Sequence, residues 1–337
     1  MLAPLTARLR GFVSRFFRRA VAPGRFETGV AESWRGTVTT APLAEPSREY
    51  LVYVPRGFSR WRRAPLLVLC HGCRQTAESL AALAKVVEHA DRDGMLVLLP
   101  KQADAANRFG CWNWFEPNTE RGNGEAAIVA AQIVAVRRRY RARRERVFVA
   151  GLSAGGALAA ILGLRYPRLV GGVFVHSGLA CGAASAAVAA LAVMQKGPDT
   201  DVAAIAQGAR LAQRRDPPLP VALLVVHGER DEVVAPTNAA ALVHQYLRFN
   251  GHAAGAAPYA RSGTLPPSDE FFEQRDAPTY ATRTHDWKRD ARPIVRHVLV
   301  EELGHAWSGG DGRFSFADPR GPDALGLLAA FVRDATR

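Results

Sequence analysis

The sequence predicts an α/β fold: a mostly parallel central sheet covered on both faces by helices. Three observations carry this expectation. Short apolar runs ending in glycine turns recur at 65–72, 146–151 and 221–228, helical stretches separate them, and one run passes through Gly-x-Ser-x-Gly directly into a small-residue helix former.

Taken in order, Leu2, Leu5, Leu9, Phe12, Val13, Phe16 and Phe17 recur at helical spacing with Arg8, Arg10, Arg15, Arg18 and Arg19 between them, which predicts a basic amphipathic helix. Such a helix either lies on a membrane surface or docks on the protein body. It lacks the apolar centre of an export signal. Residues 34–54 alternate as strands, stopped by Pro55, and predict a leading antiparallel pair. Further strands are expected at 65–72, 95–100, 146–151, 172–176, 221–227 and 293–300. Helices are expected at about 77–91, 125–140 and 322–333, after the serine, and in the Ala-rich stretch between the strands at 172–176 and 221–227. The span from Asn250 to Asp290, rich in Gly, Ala and Pro without a clear period, reads as an insertion or loop near the active face. Residues 1–30 are thus assigned to an N-terminal segment and 31–337 to a single domain with an insertion at about 250–290.

The net charge of +13 is unevenly placed: residues 1–75 hold 13 Arg against 4 Glu, and 137–146 hold seven Arg against one Glu. That bias suits an anionic membrane, nucleic acid or an acidic substrate, or else an Arg-rich solvated surface. No nucleic-acid motif accompanies it, so no specific nucleic-acid partner is expected, whereas peripheral membrane contact through the N-terminal segment stays open as one of that segment's two readings. No apolar stretch approaches the roughly 20 residues that cross a bilayer, and a soluble or peripheral chain is expected. The four cysteines are too few for a disulfide scaffold and lack zinc-site spacing, leaving room for one bridge. No metal or cofactor is expected.

The chemistry starts at Gly151-Leu-Ser153-Ala-Gly155. A strand reversing into a helix within a few residues forces the turn residue into a strained conformation and pushes its hydroxyl outward, while the helix start offers free N–H groups to a developing oxyanion. A serine hydroxyl needs an imidazole to take its proton and a carboxylate to orient that imidazole. Asp231, after the strand at 221–227 and a Gly turn, is the expected acid, with Glu229 the nearest competitor. His305, late in the chain and in a Gly-flanked loop, is the expected base. His285 and His297 read as surface or packing residues, and His71, His176 and His227 as packed strand-end histidines. The turn Cys70-His-Gly-Cys73 falls where a second oxyanion donor is needed, so the amides of Cys73 and Ala154 are assigned to the hole. Trp112 and Trp114 alternate and are expected on opposite sides, one lining the acyl pocket; Trp112 and Trp307 are the candidate substrate contacts.

Taken together, His71-Gly-Cys-Arg-Gln-Thr76, Cys111-Trp-Asn-Trp-Phe115, Arg121-Gly-Asn-Gly-Glu125, Gly151-Leu-Ser-Ala-Gly-Gly156, Val175-His-Ser-Gly178 and Gly304-His-Ala-Trp-Ser-Gly-Gly310 resemble the poly(3-hydroxybutyrate) depolymerase family of esterases. The resemblance runs from about Arg48 to the C-terminus. It implies an α/β-hydrolase fold, a Ser153, Asp231, His305 triad and a Cys73 to Cys111 disulfide, with Cys70 and Cys181 as buried fillers. It also implies a serine carboxylesterase acting through an acyl-enzyme on short-chain hydroxyalkanoate esters; an extracellular or periplasmic setting is suggested by the resemblance and the disulfide, with a cytoplasmic one the alternative because the N-terminus carries no clear export signal. Feruloyl or acetylxylan-type carbohydrate esterase activity is the alternative, and a noncatalytic binding protein on this fold a remoter one. Arg74 stands where the family more often has a small polar residue, and the Arg-rich N-terminus lies outside the matched region.

Overall fold

The computed structural model describes residues 22–32, 47–257, 259, 263–274 and 277–336. The expected helix at 2–20 lies outside them.

A ten-stranded sheet organises the chain, in the order β1-β2-β4-β3-β5-β6-β7-β10-β9-β8. Its centre is six parallel strands: β4 (Leu96–Pro100), β3 (Leu66–Cys70), β5 (Val147–Leu152), β6 (Gly172–His176), β7 (Ala222–Gly228) and β10 (Arg292–Val300). These are the apolar runs of the sequence, and β3 to β7 are buried along their whole length because helices cover both faces. Antiparallel strands close each side, β1 (Arg25–Glu32) with β2 (Ser47–Val54), and β9 (Thr282–Arg289) with β8 (Asp269–Glu273).

Helices α1 (Ala77–Leu83), α2 (Val86–Asp93) and α9 (Ala324–Thr336) bury Leu80, Val86, Leu328 and Phe331 against Leu67, Leu69, Leu224 and Val226 on one face. On the other, α4 (Gly124–Tyr140), α5 (Ala154–Arg165), α7 (Val202–Leu211) and α8 (Thr237–Asn250) pack over Val68, Val149, Leu223 and Val225. The one-turn α3 (Pro117–Glu120) and the Ala-rich α6 (Ala187–Lys196) lie in the connections. Among the described residues no helix is long and apolar enough to cross a membrane.

Four expectations change. The leading antiparallel pair is built from 25–32 and 47–54 rather than from within 34–54, so the sheet begins inside the stretch grouped with the N-terminal segment. The helix at 77–91 is two helices, because Lys85 takes a left-handed conformation at φ 53° and turns the chain between them. The span 250–290 holds β8, exposed along its whole length, and β9, whose inward positions are Thr282, Thr284 and Asp286, so neither carries an apolar period to read. Helix α8 was not anticipated, although Gly251 at φ 65° ends it in the manner that a sequence shows.

Candidate active site

Ser153 follows the last residue of β5 with φ 57° and ψ −120°, an unusual conformation for a residue with a Cβ. The two glycines of the motif make the turn tight. A Cβ on Gly151 would stand 2.2 Å from the carbonyl carbon of Gly155, and one on Gly155 would stand 2.2 Å from the carbonyl oxygen of Cys70. Helix α5 therefore starts directly against the end of β3, with Ser153 9% exposed at the junction.

Asp231 follows β7, which β6 separates from β5, and His305 follows β10, the neighbour of β7 on its other side. Leu152 pairs with His176, His176 with Val226, and Gly228 with Val300, which aligns the carboxyl ends of these strands along one rim. Nδ1 of His305 lies 2.8 Å from Oδ2 and 3.1 Å from Oδ1 of Asp231. The carboxylate also accepts the amides of Val233 at 3.0 Å and Val234 at 2.8 Å. Burial works to raise the Asp231 pKa, but His305, His227 and the Val234 amide together hold it below its usual value. With Nδ1 engaged, His305 has Nε2 left for a substrate or a hydroxyl.

Near the serine, Gly72 N donates to Gln75 Oε1 at 2.8 Å, Arg74 N to Phe109 O at 2.8 Å and Ser153 N to His176 O at 2.9 Å. Among the described residues no partner is found for the amides of Cys73 or Ala154, the pair singled out from the sequence as oxyanion donors. A disulfide joins Cys73 to Cys111 across 38 residues, and Cys70 and Cys181 are buried free thiols. The bridged loop is held from beneath by Glu125, which accepts from Gln102 Nε2 at 2.5 Å, Asn113 N at 2.7 Å and Asn113 Nδ2 at 3.0 Å. Burial raises the pKa of that carboxyl against the pull of its donors.

The assignment of substrate contacts to Trp112 and Trp307 is corrected. Both indoles are 1% exposed. The segment around Trp112 is a loop with a turn, not a strand, so alternation does not apply, and Trp112 and Trp114 join the same core. Trp307 lies under the rim, stacked on His176 at 5.2 Å and edge-on to Phe174 at 5.6 Å.

Two strand-end histidines support this rim. Nε2 of His176 accepts the amide of Ser308 at 3.0 Å, which requires a neutral ring and fixes the loop that carries His305. Burial, helped by neighbouring His227, pushes the His176 pKa down to about 3. Nε2 of His227 lies 2.7 Å from the carbonyl of Val234 and so donates to it. The sequence placed both as packed residues, but offered no signal of which loops they hold.

Residues 48–265 match the family described as esterase PHB depolymerase. The chain is 30% identical over 203 residues to poly(3-hydroxyalkanoate) depolymerase C of Paucimonas lemoignei, a match covering 59% of this chain and 48% of that protein. It is 29% identical over 140 residues to feruloyl esterase B of Neurospora crassa, covering 40% and 46% respectively. The chain thus spans about half the length of these relatives. An acetyl xylan esterase from Aspergillus awamori superposes with a TM-score of 0.60 at 18% identity, over 76% of this chain and 88% of that one, a likeness of α/β-hydrolase fold.

Proposed function

Because the chain belongs to the esterase PHB depolymerase family, we propose that it hydrolyses carboxylic esters through an acyl-enzyme on Ser153. The observation that carries this reading is the buried Asp231 carboxylate 2.8 Å from Nδ1 of His305, on the rim where Ser153 ends β5. Ser153 Oγ attacks the ester carbonyl while His305 Nε2 takes its proton, and Asp231 holds the imidazolium that forms. The carbonyl oxygen becomes an oxyanion and accepts the amides of Cys73 and Ala154. Collapse of this intermediate expels the alcohol, which leaves with the proton from His305. Water, deprotonated by the same imidazole, then attacks the acyl group, and the acid departs with Ser153 Oγ reprotonated.

The substrates proposed are short-chain hydroxyalkanoate esters of the polyhydroxybutyrate type, in keeping with the 30% identity over 203 residues to a poly(3-hydroxyalkanoate) depolymerase. The 29% identity to a feruloyl esterase favours a second reading, removal of acyl groups from polysaccharide. Turnover compared across hydroxybutyrate oligomers, feruloylated sugars and acetylated xylan separates the two. Ser153→Ala, His305→Ala and Asp231→Asn are each expected to lower turnover of a soluble ester by on the order of 10³-fold, with the fold retained by circular dichroism. Near wild-type turnover in Ser153→Ala would sink the mechanism.

A further inference from the structure

We propose that the end of the sheet opposite the catalytic rim is a docking surface for anionic lipid, anchored by Trp61. This reading is independent of the esterase chemistry. Strands β3, β4 and β5 run parallel, with Leu66 beside both Leu96 and Val147, so the segments leading into them share the pole away from Ser153. Two of those segments are basic: Arg60-Trp61-Arg62-Arg63 before β3, and the stretch from Arg141 to Arg146 before β5. Nη1 of Arg146 donates to the carbonyl of Arg63 at 3.0 Å, and the Arg141 guanidinium lies 5.9 Å from the centre of the Trp61 ring, which joins the two into one surface.

Trp61 is 82% exposed there. Among the described residues no ion pair is found for Arg60, Arg62, Arg63, Arg141 or Arg143, all of them exposed, and Glu145 is the acid within the two stretches. Ala22 reaches the same pole, where its carbonyl accepts from Gly57 N at 3.0 Å.

An indole among guanidinium groups suits the headgroup layer, where the ring sits at the apolar boundary and Arg reaches phosphate. A nucleic acid would satisfy the charge, but the patch lacks the successive aromatic platforms on which bases stack. Six residues of β5 separate the poles, about 20 Å of strand. A chain held this way keeps its catalytic rim turned to solvent.

The test uses the full chain in vesicle sedimentation, with vesicles of phosphatidylcholine alone or mixed with phosphatidylglycerol. Binding is expected to the mixed vesicles only, to weaken with added salt, and to be accompanied by a blue shift in tryptophan emission that Trp61→Phe removes. The triple variant Arg60→Ser, Arg62→Ser, Arg63→Ser should lower partitioning by roughly 100-fold, and Trp61→Ala by about 10-fold. Turnover of a soluble ester should stay unchanged in every variant. Three results overturn the proposal: no binding to mixed vesicles, full binding by both the triple variant and Trp61→Ala, or tighter capture of a short DNA duplex than of vesicles at the same salt.

Discussion

His227 Nε2 stands 3.6 Å from Oδ2 of Asp231 while donating at 2.7 Å to the carbonyl of Val234. The same Asp231 accepts the Val234 amide at 2.8 Å, so ring, carboxylate and residue 234 close one small circuit that fixes where the carboxylate points. Burial lowers the His227 pKa and keeps the ring a neutral donor. His227→Leu removes the donor and is expected to lower kcat by on the order of 10- to 100-fold with KM little changed, whereas His227→Gln, which keeps an N–H at similar reach, should recover most of it. The downfield proton resonance of His305 Nδ1–H should shift in the Leu variant and return in the Gln variant. An unmoved resonance in His227→Leu would assign the ring to packing alone.

Acid should unfold this protein early. Burial pushes both His176 and His297 down to about 3 from 6.5, so between those values the unfolded chain binds protons that the folded one refuses. Stability is then fully present above pH 6.5 and lost as pH falls. At about 1.4 kcal/mol per pH unit for each ring, the two withdraw about 5 kcal/mol by a pH of about 4.5, comparable with the whole stability of many domains. Asp231, whose folded pKa is also lowered, acts in the same direction below 3.8. Melting temperature measured by circular dichroism from neutral pH downward should fall steadily; a flat profile to pH about 4 contradicts the assignment.

The thiols should divide cleanly. Peptide mapping without reduction should recover Cys73 linked to Cys111. Cys70 and Cys181 should react with a thiol reagent only after unfolding, since both are buried and burial raises their pKa, that of Cys181 to about 11. Rapid labelling of either in the native protein argues against this arrangement.

Gly155→Ala tests the turn. Its Cβ would meet the backbone oxygens of Cys70 at 2.2 Å and His71 at 2.6 Å, atoms that move only if β3 or α5 moves. Displacing α5 also displaces the Ala154 amide. The variant is expected to lose about 1–3 kcal/mol of stability and on the order of 10²-fold in kcat, read by thermal melting and by turnover. Unchanged kcat would remove Ala154 from the oxyanion site.

Much of this architecture is local, and the sequence shows it. Apolar runs such as Val147–Leu152 and Ala222–Gly228 can be satisfied only as buried strands, and they end at turns where Ser153 and Asp231 soon follow; chain order and turn chemistry are enough to nominate these two and His305 after the last strand of the core. What lies outside local pattern had to come from the tertiary structure. The outer strands have no apolar period because β1 and β8 are largely exposed on both sides and β9 places Thr282, Thr284 and Asp286 at its inward positions, so pairing alone defines them. Trp112 and Trp307 read as substrate contacts by their place in motifs, yet their burial depends on which helices and rings close over them. His176 is separated by 132 residues from Ser308, whose amide it accepts, and a hydrogen bond across that distance leaves no trace in spacing. The meeting of the 60–63 and 141–146 arginines at one pole is likewise a consequence of two parallel strands starting side by side, a register that forms only when the sheet is assembled.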